Sequence, residues 1–193
     1  MLRFEPALVQ GAWLIDLSSV QDERGFFARV WCQREFEQHG LVADLVQMNL
    51  SHSGQRGTLR GLHYQVAPSE ETKVISCIRG AIWDVIVDLR PSSSTYLRWI
   101  GVELTAGNRR QLYVPRGCAH GYQTLADETE VLYHASARYA PQAERGIRWN
   151  DPQFSIAWPI VEPIVSAKDL KWSDFEPDPG GEVREERQHN DHC

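Results

Sequence analysis

Two histidines lie beside glycines within apolar stretches of the chain, His63 in TLRGLHYQ and His120 in VPRGCAHGY. An imidazole at such a position can bind a metal ion, transfer a proton near neutral pH, or be a hydrogen-bonded core residue. A single histidine of this kind is more often a core residue. Two of them favour a shared pocket, because neighbouring segments carry further groups suited to acid–base or anion chemistry: Arg60, Lys73, Asp84 and Tyr133.

Metal binding is the first alternative. The segment PRGCAH matches the P-x-G-x-x-H element of metal-binding cupin barrels, whose other motif supplies H-x-H and a later glutamate. Here Gln65 stands two positions after His63, where such a barrel has its second histidine. An amide is a poorer ligand for a divalent metal than imidazole or carboxylate, so Glu70 or Glu71 would have to complete the site. The residues therefore favour a site without a metal.

Proton transfer is the second alternative, and it requires a base, a carboxylate that orients the base, and an acid on the opposite side of the substrate. His63 suits the base, since a carboxylate bound to one ring nitrogen fixes the tautomer. Three aspartates are candidates for that carboxylate, and the residue types alone do not choose among Asp84, Asp151 and Asp169. Tyr133, in EVLYHAS, suits the acid.

The cations Arg60 and Lys73 would stabilise an enolate oxygen or bind phosphate. The alternative is that both are solvated surface charges and that Tyr133 only packs within its strand. Arg60 and His63 are three residues apart, so in a flat strand they would point to opposite faces. If both face one pocket, we expect Gly61 to mark either a β-bulge or the start of the strand.

Short β segments separated by turn-forming residues position these groups: KVISCI, GAIWDVIVDL, RWIGVEL, RQLYVP, GYQTL and EVLYHAS. In AIWDVIVDL, strict alternation puts Asp84 on the face of Ile82 and Ile86, opposite the face of Val85 and Val87. This pattern predicts a mostly β fold, an antiparallel sandwich or barrel. The stretch CQREFEQHG predicts a short helix, and Ser166 is a candidate cap for a turn through AKDLKW.

The chain has 193 residues, of which 42% are hydrophobic, and we assign one domain to residues 1–183 followed by a flexible polar tail at 184–193. A formal net charge of -6 disfavours general binding to nucleic acid or anionic lipid. Four scattered cysteines indicate reduced thiols, and no apolar window has the length of a membrane span. We expect a soluble, cytoplasmic protein that binds neither nucleic acid nor membranes.

Several segments together resemble the dTDP-4-dehydrorhamnose 3,5-epimerase family, whose members are metal-independent cupins acting on nucleotide sugars. They follow one another in the order of the family and span nearly the whole chain: DERGFF, QMNLSHS, TLRGLHYQ, KVISCIRGAIWDVIVDLRPSSSTY, NRRQLYVPRGCAHGY, EVLYHASARYAPQAERGIRWNDP and SAKDLKW. Two features depart from the family pattern. Arg29 stands where a glutamate is common, and NLSHSGQRGTLRG is one residue longer than the usual spacing.

The resemblance implies a cupin-type jelly-roll barrel of antiparallel strands with a few short helices, usually homodimeric, acting on a dTDP-4-keto-6-deoxyhexose without a cofactor. It also implies His63 as the base, Asp169 as its orienting partner and Tyr133 as the acid. The implied substrate-binding residues are Arg60, Lys73, His120, Asp84, Tyr139, Arg24, Gln47 and Asn49.

We therefore predict an isomerase that inverts carbons 3 and 5 of dTDP-4-keto-6-deoxy-D-glucose on the route to dTDP-L-rhamnose. One alternative within the same family is an enzyme that inverts a single carbon. Two alternatives outside it are a metal-dependent cupin, which needs a third strong ligand, and a cupin that binds a sugar without catalysis.

Overall fold

The structure is a computed structural model that describes residues 1–177, and the polar tail predicted at 184–193 lies outside these residues. The strands are β1 Leu2–Pro6, β2 Trp13–Leu17, β3 Ser19–Asp22, β4 Gly25–Ala28, β5 Gln47–Ser53, β6 Thr58–Gln65, β7 Lys73–Arg79, β8 Ala81–Asp88, β9 Trp99–Thr105, β10 Gln111–Val114, β11 Cys118–Thr124, β12 Thr129–Ala135, β13 Glu144–Gly146 and β14 Ile164–Val165. The helix α1 covers Gln33–Gln38, and single 3₁₀ turns cover Pro141–Ala143 and Asp169–Lys171.

Two antiparallel sheets form the barrel. The first has the strand order β1-β2-β10-β7-β12-β5, and the second has the order β13-β6-β11-β8-β9. The short strand β14 joins the second sheet by pairing in parallel with β6, while β3 and β4 form a separate hairpin. The predicted mostly β, antiparallel jelly-roll fold is therefore confirmed.

Three apolar clusters stabilise this arrangement, one between the sheets and one outside each of them. Strand β8 explains how one sheet serves two clusters. Ile82 and Ile86 are fully buried in the inner cluster, whereas Val85 and Val87 are fully buried in the cluster outside the second sheet. The alternation predicted for this strand is thus confirmed, and it turns Asp84 toward the inside of the barrel.

The predicted short helix is confirmed as α1, which covers the outer face of the first sheet. Its Phe36 is fully buried among residues that include Ile15 and Val74. No helix within residues 1–177 is long and apolar enough to cross a membrane. Three cysteines in the same range, Cys32, Cys77 and Cys118, are free thiols, and Cys193 lies outside it.

Of the two alternatives predicted for Gly61, the β-bulge is the one present in β6. On the neighbouring strand β11, Tyr122 pairs with Arg60 and His120 pairs with His63, so β6 contains one extra residue across this interval. Gly61 has a φ of +123°, and a Cβ atom added there would lie 2.6 Å from the Cα of Gly121. This bulge allows Arg60 and His63 to face the same cavity.

Candidate active site

A cavity of about 490 Å³ lies between the two sheets. Its side chains come from the inner faces of β5, β6, β7, β11 and β12 and from the segments around β13 and β14. They are Gln47, Asn49, Ser51, Arg60, His63, Tyr64, Gln65, Glu71, Lys73, His120, Tyr122, Tyr133, Tyr139, Glu144, Ser166, Lys168 and Asp169. This set contains nine of the eleven residues predicted for the site, and the two outside it are Asp84 and Arg24.

His63 and Asp169 form a hydrogen-bonded pair within the cavity. The Nε2 atom of His63 lies 2.6 Å from Oδ1 of Asp169, and the side chains are 29% and 5% exposed. Because Nε2 is engaged by the carboxylate, Nδ1 is the ring nitrogen left to act on a bound molecule. Trp172 lies edge-on to the His63 ring, with 6.2 Å between ring centroids.

The parallel pairing of β14 with β6 explains how Asp169 reaches His63. Val165 is in register with Leu59. Asp169 lies four residues after Val165, and His63 lies four residues after Leu59, so the parallel segments bring the two side chains together. As predicted, Ser166 caps the turn, since its Oγ accepts a hydrogen bond from the backbone N–H of Asp169 at 3.1 Å. Burial disfavours the charged form of Asp169, but the hydrogen bond and charge of His63, together with hydrogen bonds from Gly61 and Ser166, outweigh this effect and hold the pKa of Asp169 below its usual value.

A second histidine–aspartate pair lies deeper in the barrel. The Nε2 atom of His120 is 2.7 Å from Oδ1 of Asp84, and Asp84 is completely buried. Burial raises the pKa of Asp84, although the nearby His120 and Lys73 oppose this shift. Asp84 therefore supports His120 from behind and does not itself line the cavity.

The predicted cations and the predicted acid also line the cavity, with Lys73 and Tyr133 on the first sheet and Arg60 on β6 of the second. Arg60 is anchored by a hydrogen bond from its Nη2 to the carbonyl of His52 at 3.0 Å. The Nζ atom of Lys73 lies 3.2 Å from Oε1 of Glu71. Burial raises the pKa of Tyr133, which keeps its phenol protonated at neutral pH.

A hydrogen-bonded row of side chains borders the opening of the cavity. Gln47 donates to Oδ1 of Asn49 at 3.0 Å and accepts from the backbone N–H of Tyr139 at 3.2 Å. The Tyr139 hydroxyl donates to Glu144 at 2.8 Å, and the Lys168 ammonium donates to the same carboxylate at 2.6 Å. The row thus joins three predicted binding residues, Gln47, Asn49 and Tyr139, to Glu144 and Lys168, which the sequence analysis did not predict.

The missed residues, Glu144 and Lys168, had one weak signal each. Glu144 belongs to a three-residue strand that is too short to show periodicity, although its segment APQAERG was part of the resemblance. Lys168 directly precedes Asp169 in SAKD. Their contact favours the charged forms, because the pKa of Lys168 is raised by its hydrogen bond to Glu144. Burial raises the pKa of Glu144, but the Lys168 and Tyr139 hydrogen bonds bring it below its usual value.

Gln65 has a structural role that accounts for its position. Its amide nitrogen donates to the carbonyls of Ser69 and Arg138 at 3.0 and 3.3 Å, and its amide oxygen accepts from the N–H of Ala140 at 2.7 Å. It thereby fixes the loop that carries Tyr139. Within residues 1–177, no group of three or more His, Cys, Asp or Glu side chains is arranged to hold a metal ion. The metal alternative therefore lacks a third ligand in this range.

Arg24 lies outside the cavity of its own chain. It is located on the β3–β4 hairpin, is 82% exposed and pairs with Asp22. Arg29, which stands where the family commonly has a glutamate, also lies away from the cavity. Its Nη1 is 2.6 Å from Oε1 of Glu35. Within a single chain Arg24 therefore does not line the cavity, and its contact with a substrate stays a prediction.

The geometry suits removal and return of a proton at a carbon beside a carbonyl group. An imidazole oriented by an ionised carboxylate can act as the base. A lysine ammonium can stabilise the negative oxygen that results, and a protonated tyrosine can return a proton. Arg60 and Lys168 add positive charge for an anionic group, despite the negative net charge of the chain.

Comparisons of the sequence with known proteins agree with this chemistry. The family model for dTDP-4-dehydrorhamnose 3,5-epimerase matches residues 6–177. The dTDP-4-dehydrorhamnose 3,5-epimerase of Shigella flexneri is 44% identical over 155 residues, which cover 80% of this chain and 85% of that protein. The one of Methanothermobacter thermautotrophicus is 41% identical over 180 residues, which cover 92% of this chain and 96% of that protein.

Solved structures share the fold along almost the whole chain. A dTDP-4-dehydrorhamnose 3,5-epimerase from Bacillus anthracis, with TDP and PPi bound, aligns with a TM-score of 0.88 at 39% identity and covers 91% of this chain and 100% of its own. An epimerase from Legionella pneumophila in complex with dTDP-4-keto-L-rhamnose aligns with a TM-score of 0.84 at 35% identity, covering 90% and 93%. The chain therefore belongs to the dTDP-4-dehydrorhamnose 3,5-epimerase family, a family of isomerases.

Proposed function

We propose that this protein inverts carbons 3 and 5 of dTDP-4-keto-6-deoxy-D-glucose and releases dTDP-4-keto-L-rhamnose. The observation that carries the proposal is the His63–Asp169 pair, with 2.6 Å between Nε2 and Oδ1, in a cavity that also holds Lys73 and Tyr133. These four side chains supply the base, its orienting carboxylate, the oxyanion partner and the acid.

In each inversion one ring carbon loses a proton from one face and gains a proton on the other. The ketone at carbon 4 acidifies the neighbouring C–H bonds, so Nδ1 of His63 removes a proton and the bonding electrons move onto the ketone oxygen. The Lys73 ammonium stabilises the resulting enolate. Tyr133 then donates its proton to the same carbon from the opposite face, and the ketone is restored. Before the next inversion His63 releases its extra proton to solvent and Tyr133 takes one up. Nothing is oxidised or reduced overall, so the reaction requires no redox cofactor.

The remaining polar residues of the cavity fit the rest of a sugar nucleotide. We assign Arg60 to the diphosphate, because a guanidinium offers paired donors to phosphate oxygens. His120, supported by Asp84, lines the sugar side of the cavity. Gln47, Asn49 and Tyr139 are assigned to substrate contacts along the opening, where their hydrogen-bonded row is already formed.

The active assembly is proposed to be a homodimer in which Arg24 reaches the cavity of the partner. The β3–β4 hairpin that carries Arg24 has exposed apolar side chains, with Val20 72% and Phe27 78% exposed. Burying them against a second protomer is favourable. It would also deliver a cation to a site that needs one for an anionic substrate.

A mixture of two variants tests this arrangement. When Arg24→Ala and His63→Ala chains are refolded together, half of the dimers are mixed, and each mixed dimer has one site with both residues intact. We expect each variant alone to be impaired at low substrate concentration. The refolded mixture should recover about a quarter of the wild-type activity, because one site in each mixed dimer is intact. No gain on mixing, or a monomer by light scattering, would contradict the dimeric site.

Solvent exchange tests the reaction itself. We expect incubation of dTDP-4-keto-6-deoxy-D-glucose with the enzyme in deuterated water to place deuterium at carbons 3 and 5 of inverted product, as read by NMR. Label at carbon 3 alone would replace the proposal with a single inversion. Saturable binding without label would indicate a sugar-binding protein, and loss of exchange on chelation that a divalent metal restores would indicate a metal-dependent enzyme.

A further inference from the structure

Glu71 is one of three carboxylates that line the cavity, and the other two, Asp169 and Glu144, are hydrogen-bonded to partners already described. The Oε1 atom of Glu71 lies 3.2 Å from the Nζ of Lys73, and each of the two side chains is only 12% exposed. Both residues line the cavity. A partly buried carboxylate repels an anionic ligand and is costly to desolvate, so its position beside Lys73 calls for a compensating role.

The backbone around Glu71 is rigidly held. Between Glu71 and Lys73, the buried residue Thr72 donates its N–H to the Oγ of Ser136 at 2.8 Å, and its carbonyl accepts from the N–H of Ser136 at 3.1 Å. These two bonds tie the segment to the end of β12, the strand that carries Tyr133. Glu71 therefore has a fixed position relative to both Lys73 and Tyr133.

We propose that Glu71 is a positioning residue of the reaction, which holds the Lys73 ammonium at the developing enolate. This inference rests on the proposed epimerase function. Glu71 acts on Lys73 through their ion pair, and its charge also acts on Tyr133 across the cavity that both residues line.

The surroundings of the Tyr133 phenol support the second effect. Burial raises the pKa of Tyr133, and nearby Tyr122 and the carboxylate of Glu71 raise it further, while Arg60 opposes them. The charged and titratable groups that share the cavity with the phenol include Arg60 and His63 on β6, Glu71 and Lys73 beside β7, and His120 and Tyr122 on β11. The cavity also contains Tyr64, Tyr139, Glu144, Lys168 and Asp169. Of its three carboxylates, Glu71 is the one that acts on the pKa of Tyr133 by its charge.

The sign of the pH effect follows from this charge. A negative carboxylate disfavours the phenolate, so replacing it with a neutral amide lowers the pKa of Tyr133. The fraction of Tyr133 that can donate a proton then begins to fall at a lower pH. The alkaline limb of the inversion rate is expected to move in the same direction.

The variant Glu71→Gln tests the proposal, with Glu70→Gln as its matched control. Both substitutions remove one negative charge from adjacent positions, but Glu70 is exposed and does not line the cavity. For Glu71→Gln we expect kcat to fall about tenfold, because the Lys73 ammonium loses the carboxylate that holds it in position. We expect KM to stay the same or decrease, because a charge that repels the anionic substrate has been removed. The alkaline limb should move to lower pH in Glu71→Gln and stay in place in Glu70→Gln.

The outcomes separate this inference from the proposed function. If the wild-type enzyme exchanges and inverts both carbons while the two variants behave alike, Glu71 has no positioning role. An increased KM with an unchanged pH profile would mean that the substitution only disturbs the fold, and it would also overturn the inference. If the wild-type enzyme shows no exchange at all, it is the proposed epimerase function that fails.

Discussion

A His63→Ala variant is expected to lose both deuterium exchange and inversion by about a thousandfold, the range in which a general base contributes to catalysis. Both reactions begin with removal of the same proton, so they should fall together. Asp169 cannot take over the role, because its oxygens lie behind the imidazole and its hydrogen bonds favour the ionised, weakly basic form. The measurement is the rate of label entry at each ring carbon in deuterated water.

Two controls keep this result specific. His52→Ala removes a histidine that is 50% exposed and pairs with Glu128 away from the cavity, so it should leave exchange at the wild-type rate. Binding of dTDP to His63→Ala should persist, since the proposed phosphate contact is Arg60 rather than the base. Exchange in His63→Ala within about tenfold of the wild type would assign proton removal to another group.

The three aspartates that the sequence analysis left open have three different roles in the structure. Asp169 orients His63, Asp84 supports His120, and Asp151 accepts backbone hydrogen bonds from Gln153 and Phe175. Each role depends on a contact far along the chain, since Asp169 is 106 residues from His63. Residue types cannot distinguish such roles, and it was the resemblance to a family that selected Asp169.

The predictability of the strands depended on their length and burial. Strand β8 has eight residues and apolar clusters on both faces, so its alternation was plain in the sequence. Strands β13 and β14 have three and two residues, which is too few for a period to appear. These short strands nevertheless bring Glu144 and Asp169 to the cavity, so the geometry of the site was harder to predict than the barrel that surrounds it.

Arg24 shows another limit of sequence reasoning. A motif can assign a residue to a substrate without stating which protomer supplies it. Among residues 1–177, the two strands of the hairpin that carries Arg24 pair with each other and with no other strand, and they are almost entirely exposed. Gly61, in contrast, was predictable because a steric argument on adjacent residues was sufficient. Arg60 and His63 could share a cavity only if the strand between them was irregular.

A Tyr133→Phe variant is expected to separate the two halves of the reaction. Removing the hydroxyl deletes the proposed acid but keeps the aromatic ring in place, and His63 remains able to form the enolate. The enolate can then regain a proton from His63 on the face from which it was lost, which gives exchange without inversion. We expect inversion to fall about a hundredfold and exchange to fall less than about tenfold.

Tyr113→Phe is the matched control for this prediction, because it deletes a buried phenolic hydroxyl outside the cavity. The Tyr113 hydroxyl accepts a hydrogen bond from the N–H of Val42 at 3.2 Å, within the cluster that α1 covers. Its loss should lower thermal stability without changing the ratio of exchange to inversion. In Tyr133→Phe that ratio should rise at carbon 3 and at carbon 5, if one acid serves both centres. A rise at one carbon alone would assign the other inversion to a different acid, and equal loss of exchange and inversion would mean that Tyr133 acts in forming the enolate.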